Sequence, residues 1–330
     1  LLQFKKGISS AIVLRINGFS RCCNSEKGNL MSNSNHSPLA SKEVKRVYLA
    51  SQPLAYRQAG HGPPLLLLHG WGSSSRNWQT TLVELAENHT IYALDFPGYG
   101  ESPPYKGNSN WEQLANLVIK FADALGIQQF DLNGHSFGAG VAAHIAANWP
   151  NRVRRLILTC FSTYRNELER RMIEQFLRQM GVSTTLWQPW MSLWEPWMAL
   201  WQPWMVWMGG MSSIYEALAW RFFYQVPTDE HFLREGFADF LRMDGRTAIE
   251  NASSASSPSL NLALAQIVTP TLVIGARQDM IMPPYGVDVV AQLVPNSHLV
   301  WIDRCGHIPM IEHPQEYHQI VSSFLNEQKF

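Results

Sequence analysis

The chain has 330 residues, 46% of them hydrophobic and 16% charged, which suffices for a full hydrophobic core and lies far from a disordered composition. Lys plus Arg and Asp plus Glu both number 26, so the net charge is near zero and the basic footprint of a nucleic-acid binder is missing. The four cysteines, Cys22, Cys23, Cys160 and Cys305, are scattered, give neither zinc spacing nor a disulfide framework, and make a reducing compartment the default.

Residues 1–43 stand apart from the fold pattern, and in the first forty Lys5, Lys6, Arg15, Arg21 and Lys27 face one acid, Glu26, among frequent Ser and Asn. That composition matches an organelle transit peptide, and equally a disordered tail or an extension ahead of a start at Met31. The expected location is cytoplasmic, or mitochondrial or plastid if this segment is a transit peptide. No uninterrupted run of 18 apolar residues occurs, so no membrane-spanning helix is expected.

Residues 44–162 read as the first part of an α/β core. Val44, Val47 and Leu49 alternate with polar residues, as in a strand pair or hairpin. Leu65 to Leu68 form a wholly apolar run suited to a central parallel strand covered on both faces. A helix is predicted from Trp78 to Glu87, a strand over Ile91–Leu94, and an amphipathic helix over Trp111–Leu125 with Leu114, Leu117, Val118 and Phe121 on one face. A short strand at Phe130–Asn133, a helix from Ser136 to Asn148 and a strand at Val153–Leu158 follow. Such alternation predicts a mostly parallel, doubly wound sheet flanked by helices.

After Cys160 the strands stop and an aromatic-rich helical pattern takes over; residues 163–262 read as an inserted helical cap. Residues 263–330 return to the core with a strand at Thr271–Ile274, a helix at Val287–Leu293, a strand at His298–Ile302 and a last helix at Gln315–Asn326. The insertion would overlie the carboxyl ends of the strands, where ligands bind in open α/β sheets. Within it, residues 186–206 repeat LWQPWMS, LWEPWMA and LWQPWMV, and seven of the thirteen tryptophans lie between Trp187 and Trp207. A recent duplication, an apolar pocket lining and a lipid-surface contact are the three readings of this repeat. The absence of Lys and Arg weakens the third.

Gly134-His135-Ser136-Phe137-Gly138 fits G-x-S-x-G between a strand and a helix, the context of a nucleophile elbow. It places Ser136 at a helix N-terminus, where free N–H groups favour developing negative charge. The bland reading is a Gly-rich turn without chemistry. His69-Gly70-Trp71-Gly72 follows the leucine strand, and its turn would aim the N–H of Trp71 beside that of Phe137 as an oxyanion hole. His69 itself reads as a structural hydrogen-bonder. A serine hydroxyl needs a base. Of the eleven histidines, His307 in Cys305-Gly306-His307-Ile308-Pro309 lies just past the last strand, where a loop returns to the serine. His135 and His144 flank the elbow but point wrongly or lie too deep, and His313 and His318 are expected at the surface. Cys305 reads as a small hydrophobe. Asp279, after the Thr271–Ile274 strand, is the carboxylate expected to orient the base, with Asp303 and Glu312 as competitors.

Together HGWG at 69–72, DFPGYGES at 95–102, GHSFG at 134–138, GARQDMIMP at 275–283 and CGHIPMIEHP at 305–314 give the chain a resemblance to α/β-hydrolases of the esterase, lipase and C–C hydrolase group. The resemblance implies the triad Ser136, Asp279 and His307, with Trp71 and Phe137 as oxyanion donors, structural turn roles for Asp95 and Ser102, and no cofactor or metal. It implies a small apolar or acyl substrate cleaved as an ester through an acyl-enzyme. The alternatives are C–C hydrolysis, with Arg165, Arg170 or Arg171 holding a substrate carboxylate, and a ligand-binding protein with negligible turnover.

Overall fold

The computed structural model describes residues 43–50, 52–107, 109–175 and 219–326; the N-terminal segment and the Trp-Pro repeat fall outside them. Eight strands form one sheet: β1 (Lys45–Leu49), β2 (Gln52–Ala59), β3 (Pro64–Leu68), β4 (Thr90–Leu94), β5 (Phe130–His135), β6 (Val153–Thr159), β7 (Thr271–Ala276) and β8 (Ser297–Ile302). Their order is β1-β2-β4-β3-β5-β6-β7-β8. β1 and β2 form the expected antiparallel pair, β2 is antiparallel to β4, and every other pairing is parallel.

The leucine run shows why β3 is central. Leu65 and Leu67 feed the core on one face of the sheet, and Leu66 and Leu68 feed the core on the other. All four are fully buried, each contributing about 2 kcal/mol by area. One face is covered by α2 (Trp111–Ala124) and α3 (Phe137–Asn148), which supply Leu114, Val118, Phe121, Val141 and Ile145. Asn110 caps α2 by accepting from the Gln113 N–H. The other face is covered by α1 (Gln79–Glu84) and the last helix, which supply Leu82, Tyr317, Val321 and Phe324.

Between β6 and β7 the described residues hold helices and no strand. They are a helical run at 167–175, α4 (Glu230–Arg242), α5 (Gly245–Ser253) and α6 (Leu260–Ala265). Asp229 caps α4 and Asp244 caps α5, each accepting from backbone N–H groups of the first turn. α6 straddles residues 262 and 263 and packs Leu260 and Leu264 into the sheet's core. After β7 come α7 (Pro284–Leu293), the short α8 (Pro309–Glu312) and α9 (Pro314–Asn326).

One sequence expectation fails here. His318 is buried, not at the surface, and its Nε2 lies 3.0 Å from Thr81 Oγ1. Burial alone pushes its imidazole down to about 4. Among the described residues no helix is long and apolar enough to cross a membrane.

Candidate active site

Ser136 sits between β5 and α3 with φ +52° and ψ −118°, a backbone conformation that L-residues rarely occupy. The surrounding bonds hold it there. Its N–H donates to Thr159 O at 2.9 Å, and its own carbonyl accepts from the Ala139 N–H in the first turn of α3. Gly138 makes the elbow sterically feasible, because a Cβ there would fall 2.4 Å from Leu68 O. Phe137 opens α3, so its N–H belongs to the first turn, which lacks intrahelical acceptors.

The loop after β3 runs against this elbow: a Cβ on Gly70 would lie 3.3 Å from Ser136 Cβ. Trp71, next along, is fixed by its side chain. Its Nε1–H donates to Ala248 O at 2.8 Å and its ring meets Phe240 edge-on at 5.8 Å. His69 anchors the loop, as expected. Nδ1–H donates to Gly70 O at 2.7 Å, which leaves Nε2 to accept from the Phe96 N–H at 3.0 Å. Asp95 and Ser102 brace the neighbouring turn. Asp95 accepts from the Ser75 and Glu101 N–H groups, and Ser102 Oγ donates to Asp95 O while accepting from the Ala55 N–H.

Asp279 and His307 come together although 28 residues separate them: His307 Nδ1 lies 2.7 Å from Asp279 Oδ2. Two loops, one after β7 and one after β8, bring this about by binding each other. Gln278 N–H donates to Cys305 O, and Cys305 N–H donates back to Gln278 Oε1. Asp279 Oδ1 also accepts from the Ile281 and Met282 N–H groups at 2.8 Å each. Burial pushes the Asp279 carboxyl up, but His307 and the two backbone donors outweigh it and hold it below the usual carboxylate range. The carboxylate is therefore charged and directional, as an orienter of an imidazole must be.

The two competing acids lie elsewhere. Asp303 is 83% exposed at its side chain and reaches Arg277 at 3.7 Å. Glu312 accepts from the Gly306 N–H at 2.8 Å and from the Gln225 N–H at 2.6 Å, so it clasps the His307 loop to the insertion. His307 N–H itself donates to Phe222 O at 2.6 Å. Gln278 and Phe222 were not singled out by sequence reasoning, and Glu312 was weighed only as an alternative orienting acid, not as a clasp. They act through backbone partners, for which no motif spacing gives a signal.

Cys160 Sγ, an Asp279 carboxylate oxygen and a His307 ring nitrogen lie within 4.8 Å of one another. Burial and then Asp279 push the Cys160 thiol far above its ordinary range, so it stands beside the carboxylate as a neutral thiol. Cys305 is buried and its thiol is likewise pushed up by burial, so it packs as the expected small hydrophobe. Arg165, Arg170 and Arg171 are each paired with acids of the helical run at 167–175: Arg165 with Glu169, Arg170 with Glu167 and Glu174, and Arg171 with Glu167.

Comparison with known proteins agrees with this architecture. The chain is 29% identical over 306 residues to a 2-hydroxymuconate semialdehyde hydrolase of Pseudomonas putida, covering 88% of this chain and 98% of that one. It is 25% identical over 280 residues to a pimeloyl-[acyl-carrier protein] methyl ester esterase of Aliivibrio fischeri, covering 83% and 98%. The crystal structure of a hydrolase from Pseudomonas aeruginosa superposes with a TM-score of 0.69 at 20% identity, covering 87% of this chain and all of that one, which shows a shared fold. The sequence model of the alpha/beta hydrolase family matches residues 65–320. The chain belongs to the alpha/beta hydrolase family.

Proposed function

We propose that the protein is a serine hydrolase that cleaves a carboxylic ester or related acyl compound through an acyl-enzyme. The observation that carries this reading is the Asp279–His307 contact at 2.7 Å together with a serine held at positive φ at the start of a helix, whose neighbour His135 meets the His307 ring at 4.8 Å. With Nδ1 of His307 facing Asp279, Nε2 is the nitrogen left to take the Ser136 proton. Ser136 Oγ attacks the acyl carbon, and the oxyanion forms against the N–H groups of Trp71 and Phe137. The imidazolium returns its proton to the leaving alcohol. Water then attacks the acyl-enzyme with His307 again as base, and the acid leaves. The helices between β6 and β7 serve as a cap over an apolar or acyl small molecule. The reactive steps use this chain's own groups and water.

A second reading, hydrolysis of a C–C bond, is favoured by the similarity to the 2-hydroxymuconate semialdehyde hydrolase. The pairing of Arg165, Arg170 and Arg171 with glutamates speaks against those three as holders of a substrate carboxylate. The test is labelling with a fluorophosphonate, then turnover of p-nitrophenyl esters of increasing chain length beside a dienoic diketone acid. The expected result is covalent tagging at Ser136 and faster turnover of an ester. Tagging with turnover of the diketone alone would move the assignment to C–C hydrolysis, and tagging with no turnover of either would favour a binding role. No tag at Ser136 removes the serine mechanism altogether.

A further inference from the structure

His135 precedes Ser136 directly and is 2% exposed. Its Nε2 lies 2.7 Å from the backbone oxygen of His307. A carbonyl only accepts, so Nε2 carries the hydrogen and Nδ1 is bare. Nδ1 faces Gly70, where a Cβ would stand 2.9 Å away, and it is buried without a hydrogen-bond partner among the described residues. The His135 ring lies 4.8 Å from the His307 ring, with Trp78 edge-on at 6.5 Å on another side. A phenyl ring would fill this space as well. What an imidazole adds is one N–H, aimed at one carbonyl.

We infer that His135 is a positioning residue that fixes the backbone of His307 relative to Ser136 through its Nε2–H bond to the His307 carbonyl. The inference rests on the serine-hydrolase reading above. The loop carrying His307 has other ties, but they lead away from the nucleophile: Cys305 N–H to Gln278, Gly306 N–H to Glu312 and His307 N–H to Phe222. The His135 bond is different because its other end is covalently next to the elbow serine. It sets the separation of the two backbones independently of any contact between Oγ and the imidazole, and so survives each proton transfer, when that contact is broken and remade. Misplacement of a reacting group by about 1 Å costs on the order of 10²-fold in rate. Burial, and then the neighbouring His307, push the His135 imidazole down to about 3, so it remains a neutral donor beside a ring that turns cationic during the reaction.

The test compares His135→Phe and His135→Gln with wild type in fluorophosphonate labelling of Ser136, in steady-state hydrolysis of a p-nitrophenyl ester and in thermal melting. Phe keeps the volume and loses the donor; the Gln amide nitrogen occupies nearly the place of Nε2. His135→Phe is expected to lower kcat and the labelling rate by about 10- to 100-fold with KM changed less than about twofold, and His135→Gln to recover most of the loss. If His135→Phe does not melt cooperatively, His135→Asn, whose amide is one methylene too short, replaces it and is expected to be about tenfold slower than His135→Gln. Phe at wild-type rate, or Gln no faster than the donor-free or shortened variant, would reduce His135 to packing and overturn the inference. Failure of wild type to label at Ser136 would instead strike the serine-hydrolase reading.

Discussion

The sheet and the segment inserted between β6 and β7 are held by different physics. β3, β5 and β7 are buried along nearly their whole length, and alternate side chains of β3 and β7 enter two apolar cores. The insertion leaves Leu168, Met172, Trp220, Phe240 and Leu241 substantially exposed, packs mainly the α6 side chains Leu260 and Leu264 into the sheet's core, and adds individual polar contacts to the sheet side. Trp71 Nε1–H reaches Ala248 O, Ser74 Oγ donates to Asp239, His307 N–H reaches Phe222 O and Gln225 N–H reaches Glu312. The loops carrying Trp71 and His307 are thus built by the sheet and touched by the insertion. The lesson is a division of labour: rigid elements place the reacting groups, and a more loosely packed segment with many apolar side chains faces them.

The largest effects should follow from changes on the sheet side. Ser136→Ala is expected to lower kcat by about 10⁴-fold or more while the melting curve stays close to wild type. Asp279→Asn should cost about 10³- to 10⁴-fold, because an amide no longer imposes the tautomer that leaves His307 Nε2 free to accept. Steady-state kinetics with a p-nitrophenyl ester checks both; a variant of either kind retaining even a tenth of the wild-type rate contradicts the triad.

The same contrast should appear in stability for a single chemical change. Leu66→Ala empties a fully buried position and is expected to cost about 2–5 kcal/mol. Leu262→Ala, at a side chain 67% exposed on α6, should stay within about 0.5 kcal/mol. Urea midpoints at constant slope measure the pair. Equal losses would mean that the insertion is packed as tightly as the sheet.

Much of this contrast is legible in the sequence. Four consecutive leucines require cover on both faces, and the motif order Ser, Asp, His already pairs Asp279 with His307, which the structure places in contact. What is not legible depends on which loop meets which. Nothing in the spacing of Gln278 and Cys305 announces their reciprocal bonds, and nothing in GHSFG says that His135 reaches a carbonyl 172 residues away. His318 is an intermediate case. It lies on the same helical stripe as Val321 and Leu325, three and seven positions on, so its burial had a signal that its polarity masked.

Buried histidines give the comparison a pH dependence. His135 and His318 are pushed down to about 3 and about 4 by burial, whereas in the unfolded chain both titrate at 6.5. Between those values the unfolded chain binds more protons, so stability is complete above about pH 6.5 and falls as pH is lowered, by about 1.4 kcal/mol per unit for each fully shifted histidine. Asp131 and Asp239 act in the opposite sense, because burial raises them and the folded chain gains protons first. Their contribution begins nearer the carboxylate range, below the upper part of the window. The urea midpoint is therefore expected to drop between pH 7 and pH 5, and His318→Gln should make that drop shallower. A midpoint independent of pH over this range would contradict both shifts.

The smallest expected effect carries information about substrate. Arg171 is 72% exposed at its side chain and reaches Glu167 one turn away at 3.0 Å. An exposed pair of this kind contributes about 0–1 kcal/mol to stability, because both charges keep most of their hydration. Arg171→Gln should thus leave stability within about 0.5 kcal/mol of wild type and ester turnover within about twofold. For an anionic dienoic diketone the two readings diverge. If Arg171 binds the substrate carboxylate, it must leave Glu167 to do so, and its removal should raise KM by about tenfold or more, the value of a charge-assisted hydrogen bond. A KM for the anionic compound unchanged in Arg171→Gln, and again in Arg165→Gln and Arg170→Gln, would confine these arginines to their glutamate pairs and remove all three as holders of an acidic substrate.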